Sequence, residues 1–224
     1  MSAIRICICG GGSLGHVCAG ILGSDENVRL CILTRKPEVW NKEIFITDCY
    51  GKKYVGKIDT VSSDPKIVSG CDIIFICLPG YAIADTLSKI KPYSLNSVIG
   101  SIVCSTGFFY AAHEILGDKA RLFGFQRTPF IARTDTYGYS ARLLGYKSKV
   151  SVVMENIPER ESFRMTVEKL WKTPVNLLNN YFEASLFDNR TYSEMIKTHL
   201  FDNQQFFIIL NKNSNNFSIQ IWNH

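Results

Sequence analysis

The run Gly10-Gly11-Gly12-Ser13-Leu14-Gly15 limits what this chain can fold into more than any other feature, because it joins an apolar segment to a helical pattern. Ile4 to Cys9 is compact and apolar and reads as a buried strand. From Ser13 to Leu22 the residues Leu14, Val17, Cys18 and Ile21 recur on one helical face, and Gly23 stands where that helix ends. Val28 to Leu33 then supplies a second buried strand, completing a strand-helix-strand unit of about 30 residues. A GxGxxG string is common by chance; between a strand and a helix it is the arrangement that binds a dinucleotide. In that role Gly10 makes the tight turn, Gly12 lets the backbone approach the pyrophosphate, and Gly15 lets helix and strand pack closely. Gly11, Ser13 and Leu14 complete the turn, and the helix start offers free N–H groups to the phosphates.

The end of the second strand selects between dinucleotides. An acidic residue there would bind a ribose 2′-hydroxyl and repel a 2′-phosphate; this chain has Thr34-Arg35-Lys36 instead. A hydroxyl and two cations favour NADP over NAD. NAD stays open, because an arginine stacked on adenine and a solvated lysine would serve it equally. Leu78-Pro79 and Ser105-Thr106 follow two later strands, at the carboxyl edge where doubly wound sheets bind ligands, and are expected to line the rest of the cofactor.

The rhythm continues with strands over 72–78 and 97–104, helices over 82–90 and 109–116, and a strand at 121–125 expected to close the sheet. Runs apolar on both faces and separated by helices predict a Rossmann-type α/β fold: a doubly wound, mostly parallel sheet with helices on both faces. Residues 41–60 predict an antiparallel excursion, and the runs 141–146 and 150–154 predict a hairpin. Phe163, Val167, Leu170 and Trp171 form the apolar face of a helix over 158–171. The expected organisation is a nucleotide-binding domain over 1–155 and a partial helical region over 156–224. An incomplete second region would expose apolar surface, so self-association is expected, with Phe206–Leu210 and Trp222 as its contacts.

Composition narrows the function classes. The net charge of +5 comes from scattered lysines and arginines, not the basic stripe of a nucleic-acid binder. No segment reaches the roughly 20 apolar residues that cross a bilayer, and the eight cysteines sit mostly in buried strands without metal-ligand spacing. A cytoplasmic protein with reduced thiols, no bound metal and no membrane partner is expected.

Three stretches together resemble the octopine and nopaline (opine) dehydrogenases: the glycine turn with Thr34-Arg35-Lys36-Pro37, the Leu78-Pro79 edge, and Gly124-Phe125-Gln126-Arg127-Thr128-Pro129-Phe130. The similarity extends to Tyr137-Gly138 and Leu144-Gly145-Tyr146-Lys147, covering roughly residues 4 to 155. The resemblance implies an NAD(P)H-dependent oxidoreductase that reductively condenses an amino acid with a 2-oxo acid. It also implies a helical second domain whose Asn-Pro-x-x-His segment carries the acid/base histidine. Here Glu183-Ala184-Ser185-Leu186 is followed by Phe187-Asp188-Asn189-Arg190, and no such segment occurs. His199 is the catalytic candidate; Gln126, Arg127, Arg133 and Tyr137 are candidates for binding a substrate carboxylate. His16 reads as a cap or cofactor neighbour and His113 as structural. A catalytically inactive dinucleotide-binding module is the alternative function.

Overall fold

The structure is a computed structural model, and residues 3–186 are described. Apolar β-branched residues and cysteines, buried on both faces, form β1 (Ile4–Cys9), and the glycine run ends it. In chain order follow α1 (Ser13–Leu22), β2 (Val28–Leu33), β3 (Glu43–Asp48), β4 (Lys53–Lys57), β5 (Thr60–Ser62), β6 (Ile73–Ile76), α2 (Gly80–Ile90), β7 (Val98–Ser101), α3 (Phe108–Leu116) and β8 (Leu122–Phe125). The chain continues through β9 (Phe130–Thr136), β10 (Ser140–Tyr146), β11 (Val150–Glu155), α4 (Arg160–Trp171), β12 (Val175–Leu177) and α5 (Tyr181–Leu186).

The main sheet has eight strands in the order β12-β11-β8-β7-β6-β1-β2-β5. All pairings from β5 across to β8 are parallel, so β1, β2, β6, β7 and β8 end at one edge. The chain departs from β1 toward β2 on one side and resumes at β6 on the other, which opens a crevice at the end of β1. This is the doubly wound architecture that the apolar runs predict. The sheet does not close at 121–125: β11 adds antiparallel to β8, and β12 runs parallel to β11. Residues up to Ser185 belong to one compact unit, so α4 and β12 continue the fold beyond 155.

A second sheet, in the order β4-β3-β10-β9, lies on the α1 side. The antiparallel excursion is its β3–β4 hairpin, as expected. The expected pairing of 141–146 with 150–154 is incorrect. β10 pairs with β9, a strand not anticipated from the sequence, and runs parallel to β3, while β11 returns to the main sheet. The alternation of β9 and β10 supports this: Phe130, Ala132, Ala141 and Leu143 turn inward and Ile131, Arg133, Arg142 and Leu144 outward, so each strand covers a core on one face only.

Helix α1 is therefore clamped between two sheets and almost wholly buried. Its contact with the second sheet depends on missing side chains. A Cβ on Gly20 would overlap Ile46, and one on Gly56 would overlap the Ala19 carbonyl oxygen. α4 covers the same face of the main sheet with Val167, Leu170 and Trp171, the last packed among Phe75, Phe125 and Phe130. α2 and α3 cover the opposite face. All eight cysteines are free, and no helix among the described residues is long and apolar enough to cross a membrane.

Candidate functional site

The glycine turn lies at the carboxyl end of β1, beside the crevice. Gly10 leaves the strand with φ of 129°, a left-handed conformation that a side chain resists, and a Cβ there would sit 2.5 Å from the Cys77 carbonyl oxygen. A Cβ on Gly15 would overlap the Gly10 carbonyl oxygen, so turn and helix touch backbone to backbone. Gly12 differs from both: it is exposed, and a Cβ there would meet nothing within 4 Å. It precedes a helix with no side-chain cap and no acidic residue in its first turn. Unsatisfied N–H groups and the positive end of the helix dipole thus face open space, which is what an anion requires.

This contrast separates binding from folding. Gly12→Ala is expected to leave the melting temperature essentially unchanged, because its methyl group enters empty space. NADPH affinity should fall about tenfold, since the same methyl stands where a pyrophosphate would approach. Thermal melting and calorimetric titration of one preparation check both halves, and unchanged affinity would remove the phosphate role of this turn.

Of the other residues expected to bind cofactor, Thr34 and Leu78 approach the turn itself, and the rest follow strands that end at the same edge of the sheet. Thr34 is buried, its N–H donating to Ser62 at 2.9 Å, while Arg35 and Lys36 are exposed at the end of β2. Leu78 approaches to 3.1 Å from a Cβ position on Gly10, and Pro79 forms the N-cap of α2. Ser105 and Thr106 lie in the 3₁₀ turn Cys104–Thr106 after β7, with Ser105 exposed. Leu14 is partly buried against the core. The Ser13 hydroxyl instead accepts from Thr134 N–H at 3.1 Å and bonds Thr134 Oγ1 at 3.0 Å, tying the turn to β9.

His16 lies on α1 between the two sheets, with 0% of its surface exposed. Nδ1 donates to the Gly12 carbonyl oxygen at 2.9 Å, and Nε2 accepts from Gly138 N–H at 2.7 Å. Those two bonds require the neutral tautomer protonated at Nδ1. Burial lowers its pKa from the ordinary histidine value, opposed in part by the bond to Gly12. A histidine with depressed folded-state pKa contributes full stability above its unfolded pKa and loses it as pH falls below that value. Unfolding free energy should therefore drop below about pH 6.5, by up to about 1.4 kcal/mol per pH unit. Urea titrations at pH 7.5 and 5.5 test this by comparison with His16→Phe, which should lose that portion of the acid sensitivity.

The substrate candidates separate. Gln126 follows β8 at the same edge as the glycine turn, its N–H donating to Ser151 at 2.9 Å and its Nε2 reaching the Glu183 carbonyl at 3.5 Å. Arg127 adjoins it. Arg133 faces outward on β9 and bonds the carbonyl of Ala132. Tyr137 stands over the glycine turn, its hydroxyl 3.4 Å from Thr34 Oγ1. His113 lies at the other edge of the sheet, bonding Glu155 at 2.8 Å in a cavity of about 620 Å³ that Tyr110, Asp118, Asn156 and Tyr181 also line. His199, Phe206–Leu210 and Trp222 lie outside the described residues.

Residues 6–105 match the family model described as ketopantoate reductase PanE/ApbA. Octopine dehydrogenase from Pecten maximus is 27% identical over 162 residues, 65% of this chain and 41% of that protein. Tauropine dehydrogenase from Arabella iricolor is 30% identical over 161 residues, 64% of this chain and 41% of that protein. A solved octopine dehydrogenase structure with NADH and L-arginine shares the fold, with a TM-score of 0.77 at 21% identity over 90% of this chain and 56% of that one. The chain is similar to the opine dehydrogenases. The resemblance carried by the glycine turn and the Gly124–Phe130 run is thus borne out. The chain spans between 41% and 51% of the length of the octopine, opine and tauropine dehydrogenases it matches.

Proposed function

We propose that this chain is the nucleotide-binding portion of an NAD(P)H-dependent oxidoreductase of the opine type, one that condenses an amino acid reductively with a 2-oxo acid, and that it prefers NADP to NAD. The observation that carries this is the open approach to Gly12 at an uncapped helix end, beside Thr34, Arg35 and Lys36. In this reading the backbone at Gly11, Gly12, Ser13 and Leu14 holds the pyrophosphate. Leu78, Pro79, Ser105 and Thr106 line the path toward the nicotinamide. When bound, NAD(P)H supplies a hydride. Gln126 and Arg127, just past the end of β8, would orient a substrate carboxylate near that half of the nucleotide, with guanidinium offering a bidentate fork. The residues assigned here to the nucleotide all lie within 1–155, while the compact unit that carries them runs on to Ser185. The region 156–224 contributes α4 and β12 to the fold in its described part.

The second reading is a dinucleotide-binding module without turnover. It is favoured by the two histidines of the described residues: His16 is locked between Gly12 and Gly138, and His113 lies at the opposite edge. NADPH oxidation followed with pyruvate and a mixture of amino acids discriminates between them. Turnover above the rate without oxo acid supports the oxidoreductase; nucleotide binding with no turnover supports the module.

A further inference from the structure

The GxGxxG pattern leaves its second position free, yet this chain has glycine there. The structure gives the reason. A Cβ on Gly11 would overlap the Tyr137 hydroxyl and lie 2.6 Å from Thr34 Oγ1, so two hydroxyls from distant parts of the chain converge over this one residue. We propose that Tyr137 is a specificity-determining residue of the nucleotide site: its hydroxyl, paired with Thr34 Oγ1, binds the 2′-phosphate of an NADP-type dinucleotide. This rests on the cofactor reading above and deepens it, moving Tyr137 from the substrate side to the adenosine side.

Three features support the placement. Thr34 occupies the end of β2, where doubly wound folds recognise the 2′-position, and the exposed Arg35 and Lys36 follow it. The two hydroxyls stand 3.4 Å apart, long for O–H···O, so each retains capacity for a shorter, charge-assisted bond to a phosphate oxygen. Tyr137 is also held in place before any ligand arrives. Its ring packs edge-on against His16 at 5.1 Å and Trp40 at 5.9 Å. The following Gly138 donates to His16 and accepts from Asn41 N–H at 2.9 Å. With φ of 72°, Gly138 also packs against the backbone of Val39 and Trp40, where a Cβ would clash. A hydroxyl fixed in this way loses little freedom on binding, so less of the bond's energy is offset by ordering.

The test is calorimetric titration of the full chain, wild type and Tyr137→Phe, with NADPH and separately with NADH. Loss of the hydroxyl alone keeps the ring packing, so Tyr137→Phe should melt like the wild type. It should bind NADPH about tenfold more weakly and NADH within twofold of the wild-type value. Thr34→Val should move NADPH affinity in the same direction. Unchanged NADPH affinity in Tyr137→Phe, or equal weakening of both nucleotides, overturns the 2′-phosphate role while leaving the cofactor reading intact. A wild-type chain that binds neither nucleotide overturns both.

Discussion

Gly15→Val is expected to cost about 3 kcal/mol or more and to recover mostly in the insoluble fraction, the largest effect on stability of any substitution considered. The reason is geometric. The first side-chain atom would overlap the Gly10 carbonyl oxygen, a backbone group that cannot swing aside as a flexible side chain can. Gly10 is itself fixed by its left-handed φ and by its N–H bond to Leu33 at 3.0 Å, so relief would require displacing the start of α1 from the sheet. That helix is clamped on its far side by the second sheet, at Gly20 and Gly56. A chemical-denaturation curve of any soluble fraction measures the loss. Near wild-type stability would show that the turn and helix are less closely apposed than the structure has them.

Arg35→Ala is expected to weaken NADPH by roughly 10- to 100-fold, the loss of one or two charge-assisted bonds, with NADH scarcely affected. The side chain is exposed at the end of β2 and has no hydrogen bond or ion pair among the described residues, so its removal leaves the fold alone. A purely stacking arginine would behave differently, since adenine is common to both nucleotides. Equal loss for NADPH and NADH would therefore assign Arg35 to the adenine face and withdraw the preference for NADP. Competition titrations with both nucleotides on one preparation distinguish the two.

What the sequence revealed follows from how local each signal is. The limits of β1, α1 and β2 were legible because apolar periodicity and glycine punctuation act within a few residues. The second sheet was only half legible. The β3–β4 hairpin lies in one continuous stretch, but its partners β9 and β10 come about 90 residues later, and β10 joins β3 in parallel, a pairing no turn residue announces. The run over 150–154 resembled the second arm of a hairpin because it is apolar and follows a turn; its burial on both faces belongs to the main sheet. The site shows the same division. Gly10, Gly12 and Gly15 carry tasks that one motif specifies. The contacts of Ser13 with Thr134 and of His16 with Gly138 span 121 and 122 residues, and Tyr137 reaches Thr34 across 103. Only the folded chain brings them together.

If the glycine turn binds a dinucleotide and the end of β2 favours the phosphorylated form, the two nucleotides should separate by affinity. Calorimetric titration of the wild-type chain with NADPH and with NADH tests it most directly. Saturable binding of both is expected, with NADPH at least about tenfold tighter. Binding of neither, or a clear preference for NADH, would contradict it.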